Sequence, residues 1–253
     1  MKIGAQLYTV RNYTQNLEDF SETLKKVADI GYATVQVSGT CAYEADWLKE
    51  QLDKTGLACV ITHTNQERIA NDTDAVIADH KIFGCGYIGL GSIPGPLWGN
   101  PAALEAFREL YTEPAKKIRA AGMKLMYHNH AFEFTKANGV TFLERLAASF
   151  PAEELGFTLD SYWVQAGGGD PAYFAELLKG RIDCVHVKDM AYQNDKSRMA
   201  YIGEGNINFD RFLSACENSG TKYVLVEQDD CQNRDPFWCL KKSYEYLTAK
   251  GLD

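Results

Sequence analysis

Eight short runs of β-branched, aromatic and other apolar residues, each followed by a longer amphipathic stretch, set the strongest limit on how this chain can fold. The first is Ile3-Gly4-Ala5-Gln6-Leu7-Tyr8. Next come Thr34-Val35-Gln36-Val37, Ala58-Cys59-Val60-Ile61-Thr62-His63, Tyr87-Ile88-Gly89-Leu90 and Lys124-Leu125-Met126-Tyr127-His128. Gly156-Phe157-Thr158-Leu159-Asp160, Asp183-Cys184-Val185-His186-Val187-Lys188 and Tyr223-Val224-Leu225-Val226-Glu227 complete the series. Divided among 253 residues, they recur about every 32 residues, the length of one strand–helix unit. The stretches between carry helical spacing, as in Leu17, Phe20, Leu24 and Val27 or Leu104, Phe107, Leu110 and Ile118. Gly31, Gly122, Gly220 and Gly251 follow such stretches, where a left-handed cap leads into the next strand. Parallel strands joined by helices form an open doubly wound sheet or a closed barrel. An open sheet usually carries a glycine-rich phosphate turn after its first strand, and Thr9-Val10-Arg11-Asn12-Tyr13 is not one. The expected fold is therefore α/β, a single (β/α)8 TIM barrel over residues 1–253, with no Ser/Pro-rich linker to divide it.

Composition narrows the function classes. The chain is 45% hydrophobic and 24% charged, which excludes a disordered chain. No apolar run reaches about 18 residues and the N-terminus turns polar at once, so neither a membrane span nor a signal peptide is expected. A cytoplasmic location is the default. The seven cysteines form no CxxC pair and read as small buried hydrophobes in a reducing compartment. With 26 Lys+Arg against 34 Asp+Glu, the net charge of −8 argues against a nucleic-acid surface.

A barrel of this kind builds its active site at the C-terminal strand ends. His63, His128, His130, Asp160, His186, Lys188 and Glu227 all fall there, and of the five histidines only His80 does not. A charge directly after an apolar strand is costly unless paired or metal-bound. Asp160 could instead cap the following turn, and Glu227 could pair with a buried Arg. One divalent ion, however, would satisfy Asp160, His186 and Glu227 together. A fourth ligand is expected from Tyr127-His128-Asn129-His130-Ala131-Phe132-Glu133, where His128, His130 and Glu133 compete.

These segments resemble the sugar phosphate isomerase/epimerase superfamily of xylose-isomerase-like TIM barrels. The likeness rests on Gln6-Leu7-Tyr8-Thr9-Val10-Arg11, the YHNHxFEF stretch at 127–134, Leu159-Asp160-Ser161-Tyr162-Trp163, Gly167-Gly168-Gly169-Asp170-Pro171, His186-Val187-Lys188-Asp189 and Val226-Glu227-Gln228-Asp229. It implies one divalent metal, Mn²⁺ first and Mg²⁺, Co²⁺ or Zn²⁺ next, held by Glu, Asp, His and Glu at the ends of strands five to eight. Asp160, His186 and Glu227 match directly. Where many members carry the first Glu, this chain has His128, and Glu133 is the expected replacement.

The resemblance further implies proton transfer next to a carbonyl, with Glu133 and Glu227 as the exchanging pair. His128 and His130 are then candidate acids or bases, and Lys188 a charged donor to substrate oxygen. Gln6, Tyr8, His63 and Trp163 are candidate substrate-binding residues, with Phe132 another stacking surface. The leading expectation is isomerisation or epimerisation of a sugar or keto-sugar. The alternative is a lyase or dehydratase acting on an inosose or 3-keto-glycoside, toward which the replaced Glu points. The expected partner is a small carbohydrate, with neither nucleic acid nor membrane, and a homo-oligomer stays open. A phosphorylated substrate is not expected, because the two glycine-rich loops read equally well as ordinary βα connections.

Overall fold

The computed structural model describes residues 1–98 and 102–253. Eight parallel strands close into a barrel in chain order: β1 (Lys2–Gln6), β2 (Thr34–Val37), β3 (Ala58–His63), β4 (Tyr87–Leu90), β5 (Lys124–His128), β6 (Leu155–Asp160), β7 (Cys184–Val187) and β8 (Tyr223–Val226). The first closes on the last, with Lys2 opposite Tyr223 and Ala5 opposite Val226. This is the single TIM barrel expected from the strand–helix repeat and the absence of a glycine-rich turn after the first strand. Helices surround it: α1 (Leu17–Ile30), α2 (Ala45–Thr55), α3 (Gln66–Asn71), α4 (Thr73–Ile82), α5 (Ala103–Ala120), α6 (Phe142–Ala148), α7 (Ser161–Ala166), α8 (Pro171–Leu177), α9 (Phe209–Asn218) and α10 (Pro236–Ala249). Two connections hold a pair of helices each. Gly31 ends α1 at φ 121°, and a Cβ there would stand 2.8 Å from the Tyr244 ring, so both backbone and packing require glycine.

Alternation along the strands sorts their side chains into two sets. Ile3, Val35, Ile88, Tyr127, Phe157, Val185 and Val224 face outward and merge with the helices into one apolar core. Ile61, Met126, Cys184 and Leu225 form a smaller cluster inside the barrel. Gly4 and Gly156 make room for it, since a Cβ on either would lie 2.5 Å from Leu225 Cδ2 or Met126 Sδ. Two residues beyond each member of that cluster come His63, His128, His186 and Glu227. The interior thus changes from apolar to polar within one step of each strand.

At the opposite end, Asp183 pairs with Lys124 at 3.0 Å and Lys222 at 2.9 Å, and Lys222 also reaches the Tyr87 hydroxyl at 3.0 Å. Two hairpins, Lys136–Thr141 and Asp189–Ala200, rise from the loops after β5 and β7. All seven cysteines are free thiols. Among the described residues no helix is long and apolar enough to cross a membrane.

Candidate metal centre

One ligand atom from each of His128, Asp160, His186 and Glu227 lies within 4.8 Å of the others, and all four residues are buried. They come from β5, β6, β7 and the residue after β8, four neighbours in the barrel wall. Asp160 Oδ2 is 3.3 Å from His128 Nε2 and 3.6 Å from His186 Nδ1, which is itself 3.0 Å from Glu227 Oε2. Asp160 Oδ1 accepts the Trp163 N–H at 2.9 Å and so caps α7. Capping and convergence on the cluster are thus divided between the two oxygens of one carboxylate.

Both imidazoles are oriented from behind. His128 Nδ1 donates to the Gly91 carbonyl at 3.0 Å and His186 Nε2 to Gln36 Oε1 at 2.6 Å. Each ring therefore turns its other nitrogen toward the carboxylates. His186 Nδ1 has no hydrogen-bond partner. Either a proton or a metal ion on this nitrogen satisfies the facing carboxylate oxygens, and two imidazoles with two carboxylates are a donor set suited to a divalent ion. This cluster could bind one.

Lys188 supplies part of the positive charge now. Its Nζ, fully buried, lies 2.8 Å from Glu227 Oε2, 3.2 Å from Asp160 Oδ2 and 3.0 Å from Asp229 Oδ1. Burial opposes charge on Lys188, but the three carboxylates hold it protonated. Burial also works against ionised Asp160 and Glu227, and Lys188 keeps both well below the usual carboxylate range. His186, which burial alone would push down, is held up at about 9 by Glu227 and Asp160.

The other expected residues are divided between the cluster's surroundings and positions apart from it. Glu133 is not in the group: it is buried, and its carboxylate accepts the Tyr127 hydroxyl at 2.6 Å and the His130 N–H at 2.8 Å. The 3-10 turn Phe132–Phe134 carries it away from the barrel axis. His63 is beside the cluster, its ring 5.3 Å from His128 and 5.6 Å from His186, with Nδ1 3.2 Å from Ser38 Oγ. Burial and the neighbouring imidazoles push it well toward neutrality. His130 packs edge-on to His128 at 4.7 Å and against Trp163 at 5.3 Å, and burial pushes it down to about 3. Gln6 is buried at the mouth, its Oε1 taken by the Tyr8 N–H and its Nε2 free. Tyr8 stands at the rim, its ring 4.3 Å from the Arg11 guanidinium.

Gln36, Ser38, Gly91 and Asn129 were not foreseen. Asn129 Oδ1 accepts the Asp160 N–H at 3.0 Å and fixes that strand end. Only Gln36 carried a readable signal, a polar residue between Val35 and Val37. The others act through a loop hydroxyl, a backbone carbonyl and a turn amide.

A closed parallel barrel with His, Asp and Glu converging at its C-terminal end defines a class of βα-barrel proteins with a candidate metal centre. A family profile described as xylose isomerase-like TIM barrel matches residues 24–238, and the chain belongs to that family. Among solved structures it is similar to a sugar phosphate isomerase/epimerase from Parabacteroides distasonis, with TM-score 0.83 and 22% identity over 98% of this chain and 93% of that one. It is also similar to an L-ribulose 3-epimerase (TM-score 0.75, 14% identity, 98% and 94% covered) and to a probable 3-DHS dehydratase from Bacillus anthracis (0.69, 15%, 98% and 99%). At these identities the likeness is one of fold. No curated protein matches the sequence.

Proposed function

We propose that the protein is a divalent-metal-dependent isomerase or epimerase that removes a proton next to the carbonyl of a sugar or keto-sugar. The observation carrying this reading is the convergence of His128, Asp160, His186 and Glu227, with both imidazoles fixed by carbonyl acceptors. These four would hold the ion, Mn²⁺ first among Mn²⁺, Co²⁺, Zn²⁺ and Mg²⁺. The chemistry a bound ion supplies there is Lewis acidity toward carbonyl and hydroxyl oxygens. Glu227, kept ionised beside Lys188, is assigned as the base for the proton next to the carbonyl. Lys188, held charged by Asp160, Glu227 and Asp229, would donate to the developing oxyanion by releasing one of those three carboxylates. His130 and His63, both neutral, hydrogen-bond the substrate hydroxyls. Trp163 and Gln6 direct unpartnered N–H groups to substrate oxygens. The L-ribulose 3-epimerase and the Parabacteroides isomerase/epimerase support the substrate class, a small carbohydrate.

Elimination by a lyase or dehydratase is a second reading, favoured by one specific observation. With Glu133 turned outward, the expected pair of exchanging carboxylates is reduced to Glu227 flanked by neutral imidazoles. Loss of water or alcohol needs one base and one proton donor rather than two exchanging carboxylates; Lys188, held protonated beside Glu227, is the charged donor, and the similarity to a probable dehydratase agrees. Against a phosphorylated substrate, the helix start after Gly167-Gly168-Gly169 and the Gly203–Gly205 loop each already hold a carboxylate. Asp170 accepts the Ala172 and Tyr173 N–H groups, and Asp189 accepts those of Gly203 and Gly205.

The test is incubation of Mn²⁺-loaded protein in D₂O with ketoses, inososes and 3-keto-glucosides, followed by NMR. Deuterium uptake with the skeleton and hydroxyls retained is the expected result. Loss of water or alcohol would transfer the assignment to the lyase, and absence of exchange with every substrate would sink both.

A further inference from the structure

A row of aromatic rings leads from the metal centre to the surface, farther than a single sugar would need. His130 touches His128 at its inner end. The Phe132 ring lies parallel to His130, 5.9 Å away at 9°, and Trp98 stacks on Phe132 at 4.8 Å and 30°. Trp98 is 54% exposed, yet its indole is not loose, since Nε1 donates to the Ile93 carbonyl at 3.0 Å. An indole anchored by its polar edge, with one face on Phe132 and more than half its surface exposed, is a preformed stacking surface. Apolar burial does not explain it, because the face open to water gains nothing from being fixed.

The inner end of the row carries polar atoms in need of a partner. His130 Nδ1 and Trp163 Nε1 are enclosed and have none. The path therefore begins at groups that bind hydroxyls and ends at an aromatic face with nothing polar to offer. A reacting sugar at the metal centre would occupy the first part, leaving Phe132 and Trp98 beyond it.

We propose that Trp98 and Phe132 form an outer subsite for a second ring, joined by a glycosidic bond to the sugar that reacts at the metal centre. The substrate class is then a glycoside rather than a free monosaccharide. The inference rests on the sugar-processing reading and adds the outer ring to it. Both the apolar face of a second pyranose and a flat aryl group stack on an indole, and the shared chemistry is a ring face.

Binding to the full-length, Mn²⁺-loaded protein tests it, with methyl β-glucoside, phenyl β-glucoside and cellobiose as probes followed by saturation-transfer NMR and calorimetry. One of the two-ring probes should bind about tenfold more tightly than methyl β-glucoside, and which one identifies the ring. In Trp98→Ala that ratio should fall to about one, and Phe132→Leu should lower it part of the way. Equal affinity for all three probes, no binding of any, or an unchanged ratio in Trp98→Ala overturns the subsite. The metal reading is judged separately, by Mn²⁺ titration and deuterium exchange. A ring preference that survives without either would leave the subsite standing while the proposed reaction falls.

Discussion

The Gln36 amide shows how much of this site is decided behind the residues that face it. Its Oε1 receives the His186 Nε2 proton at 2.6 Å, fixing which nitrogen is free to bind an ion. Such partners commonly affect metal affinity by about 10–100-fold. Gln36→Leu should weaken Mn²⁺ binding by that factor in a competition titration with a chromogenic chelator, with the ligands themselves intact. Glu133 yields a pH prediction. Burial raises its pKa from 4.5 to about 7, against the opposing hydrogen bonds from Tyr127 and His130. The folded protein keeps this proton where the unfolded chain has released it, so Glu133 favours folding most below about pH 4.5. That contribution is lost as the pH rises to about 7, and linkage puts it at about 3 kcal/mol. Urea unfolding of wild type and Glu133→Gln across this range should show the decline only in wild type; parallel curves would refute it.

Among the elements, the β7–α9 connection depends on a single carboxylate. Asp189 accepts backbone N–H groups from Met190, Gly203, Gly205 and Ile207, at 2.8 to 3.2 Å, tying the hairpin base to the loop before α9. Asp189→Ala leaves four part-buried donors without their acceptor and should cost about 2 kcal/mol, with faster amide exchange concentrated in residues 189–207. The strands were legible in the sequence because each is a short run of β-branched, aromatic and other apolar residues, several ending in an abrupt change of polarity, as Met126 to His128 and Leu225 to Glu227 illustrate. The choice among His128, His130 and Glu133 was not. Alternation assigns faces only while the chain stays extended, and β5 stops at His128. Beyond it, the turn through Phe132–Phe134 sends Glu133 to Tyr127, a partner that becomes visible only once the strand and loop are packed together. Trp98 was silent for the same reason.

Across the whole molecule, the two ends of the barrel carry different duties. The N-terminal end is closed by Asp183 between Lys124 and Lys222, the other by the candidate metal centre. Asp183→Asn should lower unfolding free energy by about 1–3 kcal/mol, because it leaves two ammonium groups without their partner. Mn²⁺ affinity, measured on the same samples, should stay within twofold of wild type. A matching loss of affinity would show the ends to be coupled through the strands.

The four residues of the cluster lie between His128 and Glu227, whereas the carbonyl oxygens that orient its imidazoles belong to Gln36 and Gly91. One half of the barrel would donate electrons to a bound ion and the other half decides how the donors stand. A chimaera that keeps residues 124–253 and takes its first half from a relative would retain every ligand atom while inheriting different supports for them. Preference among metals could therefore pass between lineages by exchange of half-barrels, without a single ligand changing.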